Sequence, residues 1–497
     1  MIERSASNIA GQRFDLIVVG GGIHGVCVAL EAAQRGVQPL LIEAGDVGSA
    51  TSHNSFRILH GGLRYLQNLD LARFFESVRE RRWFARTMPE LVRPLPCLLP
   101  LYGRGLKRRS LFGPAVMLND ALACRRNAGV APEARLPSGG ILTRKQTLAR
   151  VPTVEARGLQ GAGLWYDATL RSPSRALMRL LRWMAALGGA AVNYTEACEL
   201  IWQRQMVRGV RARDRTSGEY CEFEAPAVVN AAGPWAHEFA RTCDSAMGPH
   251  TLSYPSLAFN VVLDQPPPAN EALAIETVGP NRQIYFARPF GDRTLLGTAH
   301  APYAKEDTTP DVTAEHIQRF IGEVNAAMPK LRLSADAVDQ VMAGLLPATE
   351  PGGTKLTDRP TIYDHARHGG PRGLVSVSGI KYTTARATAE RTVKHLVGNR
   401  LSGNKSAGER PSERIAQPAT PSWPVSLLDP TEAIGASESA FNATVDRLYN
   451  EEAARTADDI VDRRTEWGND PRHRETLRRR VETRLMGKTA HGEFIYT

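Results

Sequence analysis

The residues of this chain best suited to chemistry begin with Gly20, Gly22 and Gly25, in the pattern G-x-G-x-x-G. They stand directly after the apolar run Phe14–Val19 and open a helical pattern. The first glycine permits a tight turn, the second lets a pyrophosphate approach the backbone, and the third lets helix and strand pack closely. The start of the following helix offers N–H groups and the positive end of its dipole to the phosphates. Glu43 follows Gly22 by 21 residues. A carboxylate there accepts hydrogen bonds from a ribose diol and repels a 2′-phosphate, which points to FAD or NAD rather than NADP. The competing reading is a loop acid beside a purely structural glycine turn.

Further residues separate the two cofactors and suggest a reaction. The loop Gly45–Ser55 is small and rich in hydroxyls, Thr51 and Ser52 among them. Such a loop suits a cofactor that extends beyond the first domain, as FAD does. A substrate that loses a proton as it is oxidised needs a base within reach, and His60 has the right type because an unperturbed imidazole titrates near neutrality. The alternative is a histidine that only hydrogen-bonds the cofactor or the backbone. Arg64 would hold an anionic substrate group, or else forms a surface salt bridge. Lys381 precedes Thr383 in a strand–turn–helix pattern. A cation and a helix N-terminus there would stabilise negative charge on a reduced flavin; a solvated lysine is the plain alternative.

These groups need a scaffold. Phe14–Val19 reads as a buried strand, Ile23–Arg35 as a helix ended by Gly36, and Val37–Ile42 as a second strand, which makes a βαβ unit. Leu71–Thr87 and Ser174–Leu187 read as helices. Strands are expected at Ala190–Tyr194, Val207–Arg211, Ala227–Asn230, Phe259–Leu263, Ile284–Pro289, Thr294–Thr298 and Gly373–Ser378. Pro89, Pro94, Pro96 and Pro100 mark a loop between the first and second halves of this scaffold. Thr313–Met328 is helical, Gly398–Ser422 reads as a linker, and Pro430–Met486 reads as a helical appendage outside the cofactor site.

Composition narrows the classes. The 497 residues carry a net charge of +10, with arginines clustered at Arg79–Arg82, Lys107–Arg109 and Arg478–Arg480. No run interleaves aromatics with these charges as a nucleic-acid platform would, so nucleic acid is not expected as a partner. A solvated surface, an anionic substrate or an anionic membrane surface accounts for the excess charge. Six cysteines are dispersed with no metal-ligand spacing, so no metal site is expected. Met1–Ala10 lacks the apolar core of a secretory signal. No run approaches the roughly 18–20 apolar residues of a membrane span. The expectation is a cytoplasmic protein, with peripheral attachment to the inner face of the cell membrane left open.

The motif set resembles FAD-dependent glycerol-3-phosphate dehydrogenase, within the D-amino-acid-oxidase-like flavoproteins. The resemblance is carried by His60-Gly61-Gly62-Leu63-Arg64-Tyr65-Leu66, Arg93-Pro94-Leu95-Pro96 and Val229-Asn230-Ala231-Ala232-Gly233-Pro234-Trp235. Leu296-Gly297-Thr298, Gly379-x-Lys381-x-Thr383-Thr384 and the tail motifs Glu451–Thr456 and Asp462–Thr465 extend it. It implies an α/β fold: a Rossmann-type FAD-binding domain interleaved with an antiparallel-sheet substrate domain, plus a C-terminal helical domain. The implied division gives 1–90, 171–245 and 341–397 to FAD, 91–170 and 246–340 to substrate, 398–425 to a linker and 426–497 to the tail. It implies hydride transfer from an alcohol carbon to flavin N5, with quinone or oxygen as the electron acceptor. The implied catalytic set is His60, Arg64, Lys381 and Arg359. The implied FAD set is Gly20, Gly22, Gly25, Glu43, Thr51, Ser52, Ala232, Gly233, Trp235, Gly379 and Thr383.

Departures from that family cluster in its substrate half. Where the family grips the substrate phosphate with an arginine before a proline, this chain has Leu346 before Pro347. Loss of that charge-assisted contact forfeits about 1.5–3 kcal/mol. Ala299 and His300 replace Thr-Asp after Gly297-Thr298, and Ile380 replaces a glycine before Lys381. The expected activity is oxidation of a small polyol phosphate or related hydroxy compound, with the substrate shifted from the family's usual one. An amine or amino-acid oxidase on the same fold is the rival reading.

Overall fold

The computed structural model describes residues 2–103, 108–242, 252–279, 282–303, 309–399 and 429–489. Its first layer is a seven-stranded sheet in the order Ile2–Glu3, Ala190–Val192, Pro39–Ile42, Leu16–Val19, Val228–Asn230, Leu374–Ser378 and Thr361–Asp364. All neighbours are parallel except the last pair. Leu16–Val19 and Pro39–Ile42 are buried at every position, as a parallel sheet covered on both faces requires. On one face the helix Ile23–Gln34 lies against the helices Pro173–Ala186 and Ala385–Asn399. On the other, a three-stranded sheet (Thr195–Gln203, Met206–Asp214, Tyr220–Glu224) contributes Leu200, Val207, Val210 and Phe223 to a core with Ile17, Leu40 and Val228.

The second layer is a nine-stranded sheet in the order Val338–Ala348, Tyr254–Leu263, Arg293–Pro302, Ile284–Phe290, Ala272–Glu276, Val92–Leu101, Gly161–Leu170 and Ile58–Leu59, with Gly140–Thr143 also on Gly161–Leu170. It is antiparallel apart from the pairing of Ala272–Glu276 with Val92–Leu101. Residues of one parity, such as Phe259, Val261, Ala299 and Leu345, pack with Phe320 and Val324 of the helix Ala314–Ala327. Residues of the other parity, Ala258, Asn260, Thr298, His300, Gly344 and Leu346, face the first layer across a cavity.

Two expectations need correction. The proline-marked loop is a ten-residue strand, Val92–Leu101. Pro94, Pro96 and Pro100 share one parity, so their missing N–H groups fall on one edge. Leu91 and Leu101, of the other parity, offer their carbonyls to the Gly161–Leu170 side, and the proline edge meets only the short pairing at Cys97 and Leu98. The strand Val338–Ala348 belongs to the nine-stranded sheet, so the division expected at 340/341 falls after Ala348. The helix Ala385–Asn399 carries the FAD-side layer past 397, and the rest of the expected linker lies outside the described residues.

The tail is helical, as expected, through Pro430–Gly435, Glu438–Glu451 and Pro471–Thr489. Phe441, Val445, Leu448, Trp467, Leu477 and Val481 form its own core. It is not a detached appendage. Arg464, fully buried, holds Asp46 at 2.7 and 2.8 Å, and Arg175 holds Glu452 at 2.6 and 3.1 Å. Burial works against the Asp46 carboxylate, but Arg464 and Arg463 outweigh it and bring its pKa down to about 2. The stability it contributes is therefore fully present above about pH 4 and lost only as pH falls towards 2.

Candidate active site

The cofactor motifs meet because of strand order. Glu43, Gly20, Ala231 and Gly379 each follow the carboxyl end of a strand, and those four strands are consecutive neighbours in the parallel sheet. Ligands of open α/β sheets bind at this edge. Here the edge borders a cavity of about 940 Å³ whose far wall is the nine-stranded sheet. Gly22, Thr51, Ser52, His60, Gly233, Gly379, Lys381 and Thr383 all line it.

The glycine turn has the geometry of a phosphate cradle. Gly20 has φ +104°, and a Cβ there would lie 2.5 Å from the Ala231 carbonyl oxygen. A Cβ on Gly25 would collide with the Gly20 carbonyl oxygen, which is the close helix–strand contact the pattern requires. The Ile23 N–H donates to Ser52 Oγ at 2.9 Å, so Ser52 caps the helix from the following loop. Glu43 accepts from the Gly21 N–H at 2.5 Å and the Gly45 N–H at 2.8 Å. Its pKa is raised by burial, against the pull of those two hydrogen bonds. Each carboxylate oxygen keeps lone pairs for a ribose hydroxyl. A helix N-terminus, an acid at the second strand's end and a long cleft running on to Lys381 fit an extended dinucleotide such as FAD.

The other end of the cavity carries the groups suited to acid–base work. His60, half exposed, places Nδ1 3.3 Å from the Asp167 carboxylate. Asp167 also accepts the Gly61 N–H at 2.6 Å and Arg81 NH1 at 2.8 Å. Burial opposes ionisation of Asp167, but its hydrogen bond with His60, the charge of Arg81 and the Gly61 N–H hold its pKa below the usual range. A carboxylate on Nδ1 fixes the proton there and leaves Nε2 as an acceptor. A Cβ on Gly61 would collide with the Arg81 guanidinium, so this buried pair needs glycine beside His60. Thr383 Oγ1 accepts the His60 N–H at 3.2 Å and ties this segment to the Lys381 turn.

Lys381 stands over the Tyr65 ring with Nζ 4.3 Å from its centroid. Burial, with the charge of Arg64, brings its pKa down to about 8. Arg64 and Arg359 are exposed, and neither lines the main cavity. Arg359 borders a side pocket of about 30 Å³ shared with His24, Gly379 and Lys381. Ala232 and Trp235 do not reach the cavity, and Trp235 is 39% exposed. Leu346 and His300 line the cavity wall, on strands flanking Tyr254–Leu263. Burial lowers the pKa of His300, which keeps it neutral at ordinary pH.

Neither Asp167 nor Arg81 stands out in the sequence as a site residue. Arg81 had a signal: Phe74, Val78, Arg81 and Ala85 follow the helical spacing of a buried face, and all four are buried. Asp167 is a buried acid in the strand Gly161–Leu170, but no spacing connects it to His60.

A family model described as FAD dependent oxidoreductase matches residues 15–394. Aerobic glycerol-3-phosphate dehydrogenase of Staphylococcus aureus (strain USA300) is 29% identical over 404 residues, covering 80% of this chain and 69% of that protein. Among solved structures, the glycerol-3-phosphate dehydrogenase from Bacillus halodurans complexed with FAD is 24% identical, covers 96% of both chains and superposes with a TM-score of 0.65. The L-proline dehydrogenase from P. horikoshii is 17% identical with a TM-score of 0.56, covering 78% of this chain and 94% of that one.

Proposed function

The chain belongs to the FAD-dependent oxidoreductase family, and on that premise we propose that it oxidises the carbinol carbon of a small polyol phosphate or related hydroxy compound. Bound along the cleft, FAD supplies the two-electron acceptor. The observation that carries this reading is His60, fixed by Asp167, on the same cavity as Lys381. His60 Nε2 takes the hydroxyl proton as the carbon is oxidised. Lys381 holds negative charge at the Gly379–Thr383 turn. Arg64 and Arg359, outside the main cavity, add positive potential that draws an anionic substrate inward.

The test is anaerobic bleaching of the flavin absorbance by a panel of polyols, polyol phosphates, hydroxy acids and amines. Bleaching by a hydroxy compound, with no NAD present, is expected. Bleaching by amines or amino acids alone would replace this reading with an amino-acid oxidase. With an anionic substrate, kcat/KM should fall about tenfold per pH unit above about pH 8 as Lys381 loses its proton. Lys381→Arg should remove that limb, because guanidinium stays charged throughout; a limb that persists belongs to another group.

Electrons leave to quinone or oxygen, and the exposed surface favours a membrane-bound acceptor. No helix among the described residues is long and apolar enough to cross a membrane. The helices Leu63–Gln67, Leu71–Thr87 and Arg109–Leu122 pack through Phe74, Val78, Ala123 and Leu122. They or their connections expose Leu69, Leu71, Phe75, Leu111, Met117 and Leu118, alongside exposed Arg64, Arg79, Arg108 and Arg109. Apolar side chains amid arginines suit an anionic bilayer surface. Co-sedimentation with phosphatidylglycerol vesicles should be salt-sensitive and weakened by Leu118→Glu; equal binding by wild type and variant would reject this surface.

A further inference from the structure

The segment 46–57 carries Thr51 and Ser52, and the tail grips it at both ends. At one end Asp46 receives Arg464 NH1 at 2.8 Å, Arg464 NH2 at 2.7 Å, Arg463 Nε at 2.7 Å and Asn193 Nδ2 at 3.0 Å. At the other, Arg57 donates to Glu466 at 3.0 Å and to Asn469 at 2.8 Å. Asp46, Arg57 and Arg464 are buried. The π-helical turn Asp459–Arg464 lets two successive arginines reach one carboxylate.

Between these anchors the segment touches the cofactor cradle twice and the facing sheet once. The Gly48 N–H donates to the Gly21 carbonyl at 3.1 Å. Ser52 Oγ accepts the Ile23 N–H at 2.9 Å. Thr51 Oγ1 donates to the Leu345 carbonyl at 3.2 Å. A shift of Asp46 or Arg57 therefore displaces the helix cap and the floor of the phosphate site together.

We propose that the C-terminal helical unit is a clamp that sets the position of segment 46–57 and, through it, the retention of FAD, with Arg464 and Glu466 as positioning residues. The inference rests on the FAD site and not on which substrate is oxidised. Buried charges make the clamp stringent, because removing one partner leaves the other desolvated and unpaired.

The test follows FAD release from the holoenzyme by recovery of flavin fluorescence after dilution, at a fixed interval below each variant's own unfolding temperature. Asp46→Asn and Arg464→Met are expected to release FAD at least about tenfold faster than wild type. Arg464→Lys, which keeps one charged contact, should fall between. Arg472→Ala is the control, since Arg472 also joins tail to body, but is 55% exposed and pairs with Asp292 and Asp470 rather than with segment 46–57; its release rate should match wild type. If Arg464→Met does not fold, Asp46→Asn and Glu466→Gln carry the comparison. Release rates within about twofold of wild type, with lowered unfolding temperatures, would show that the tail only stabilises the fold and would overturn the proposal.

Discussion

Asp167→Asn is expected to lower the rate of flavin reduction by substrate at least about a hundredfold while FAD stays bound. The carboxylate accepts the Nδ1 proton of His60 at 3.3 Å and so directs the free lone pair to Nε2. An amide can turn its NH2 towards Nδ1 instead. Nδ1 then becomes the acceptor, the ring proton moves to Nε2, and the nitrogen needed as base is blocked. The substitution also deprives Arg81 of its charge partner at 2.8 Å. A buried cation left unpaired costs about 3–5 kcal/mol, so a lower unfolding temperature accompanies the kinetic loss. The two effects separate in single-turnover reduction measured well below the unfolding temperature. His60→Gln should lose a comparable factor, and the double variant little more, because the residues act as one unit. A variant that reduces its flavin within about threefold of wild type, where independent sites scatter, would remove Asp167 from the mechanism.

The parts of this architecture that were legible in the sequence are those in which function and local pattern coincide. Gly20, Gly22 and Gly25 combine a strand, a turn and a helix start within a few residues, and Glu43 closes the next strand. Their spacing therefore reports their arrangement in space. Lys381 and Thr383 follow a strand in the same way. Patterns that depend on pairing across the chain were harder to read. The prolines of Val92–Leu101 look like breakers until their shared parity is set against a neighbour with few bonds to offer. Asp167 reaches His60 only because Gly161–Leu170 pairs with Ile58–Leu59 at the sheet edge. The tail reads as helical in the sequence, but Arg464 looks like any surface arginine until Asp46 is found beneath it. Arg64 and Arg359 show the converse: a motif brings them near the site, yet their side chains remain exposed.

Leu346→Arg is expected to raise kcat/KM for glycerol 3-phosphate at least about tenfold, equal to roughly 1.4 kcal/mol, from a poor starting value. Leu346 pairs with Ser256 in the nine-stranded sheet and points to the cavity side, two residues beyond Gly344. The wall it forms is apolar or neutral: Ala258 opposes His300, whose imidazole burial keeps uncharged. The positive groups lining the cavity, Lys381, Arg241 and Arg57 (paired with Glu466), and those outside it, Arg64 and Arg359, belong to other segments. A phosphate bound against this wall therefore keeps some long-range attraction but lacks a bidentate partner on the Leu346 side, a contact worth about 1.5–3 kcal/mol. An introduced guanidinium would restore that contact. It should also impair turnover of the native substrate, because a cation placed against an apolar or uncharged group is desolvated without compensation. Steady-state kinetics of both proteins on glycerol 3-phosphate and on the best bleaching substrate decide the question. A wild-type kcat/KM for glycerol 3-phosphate above about 10⁴ M⁻¹s⁻¹, inside the ordinary enzyme range, would make the leucine a neutral replacement and end the case for a shifted substrate.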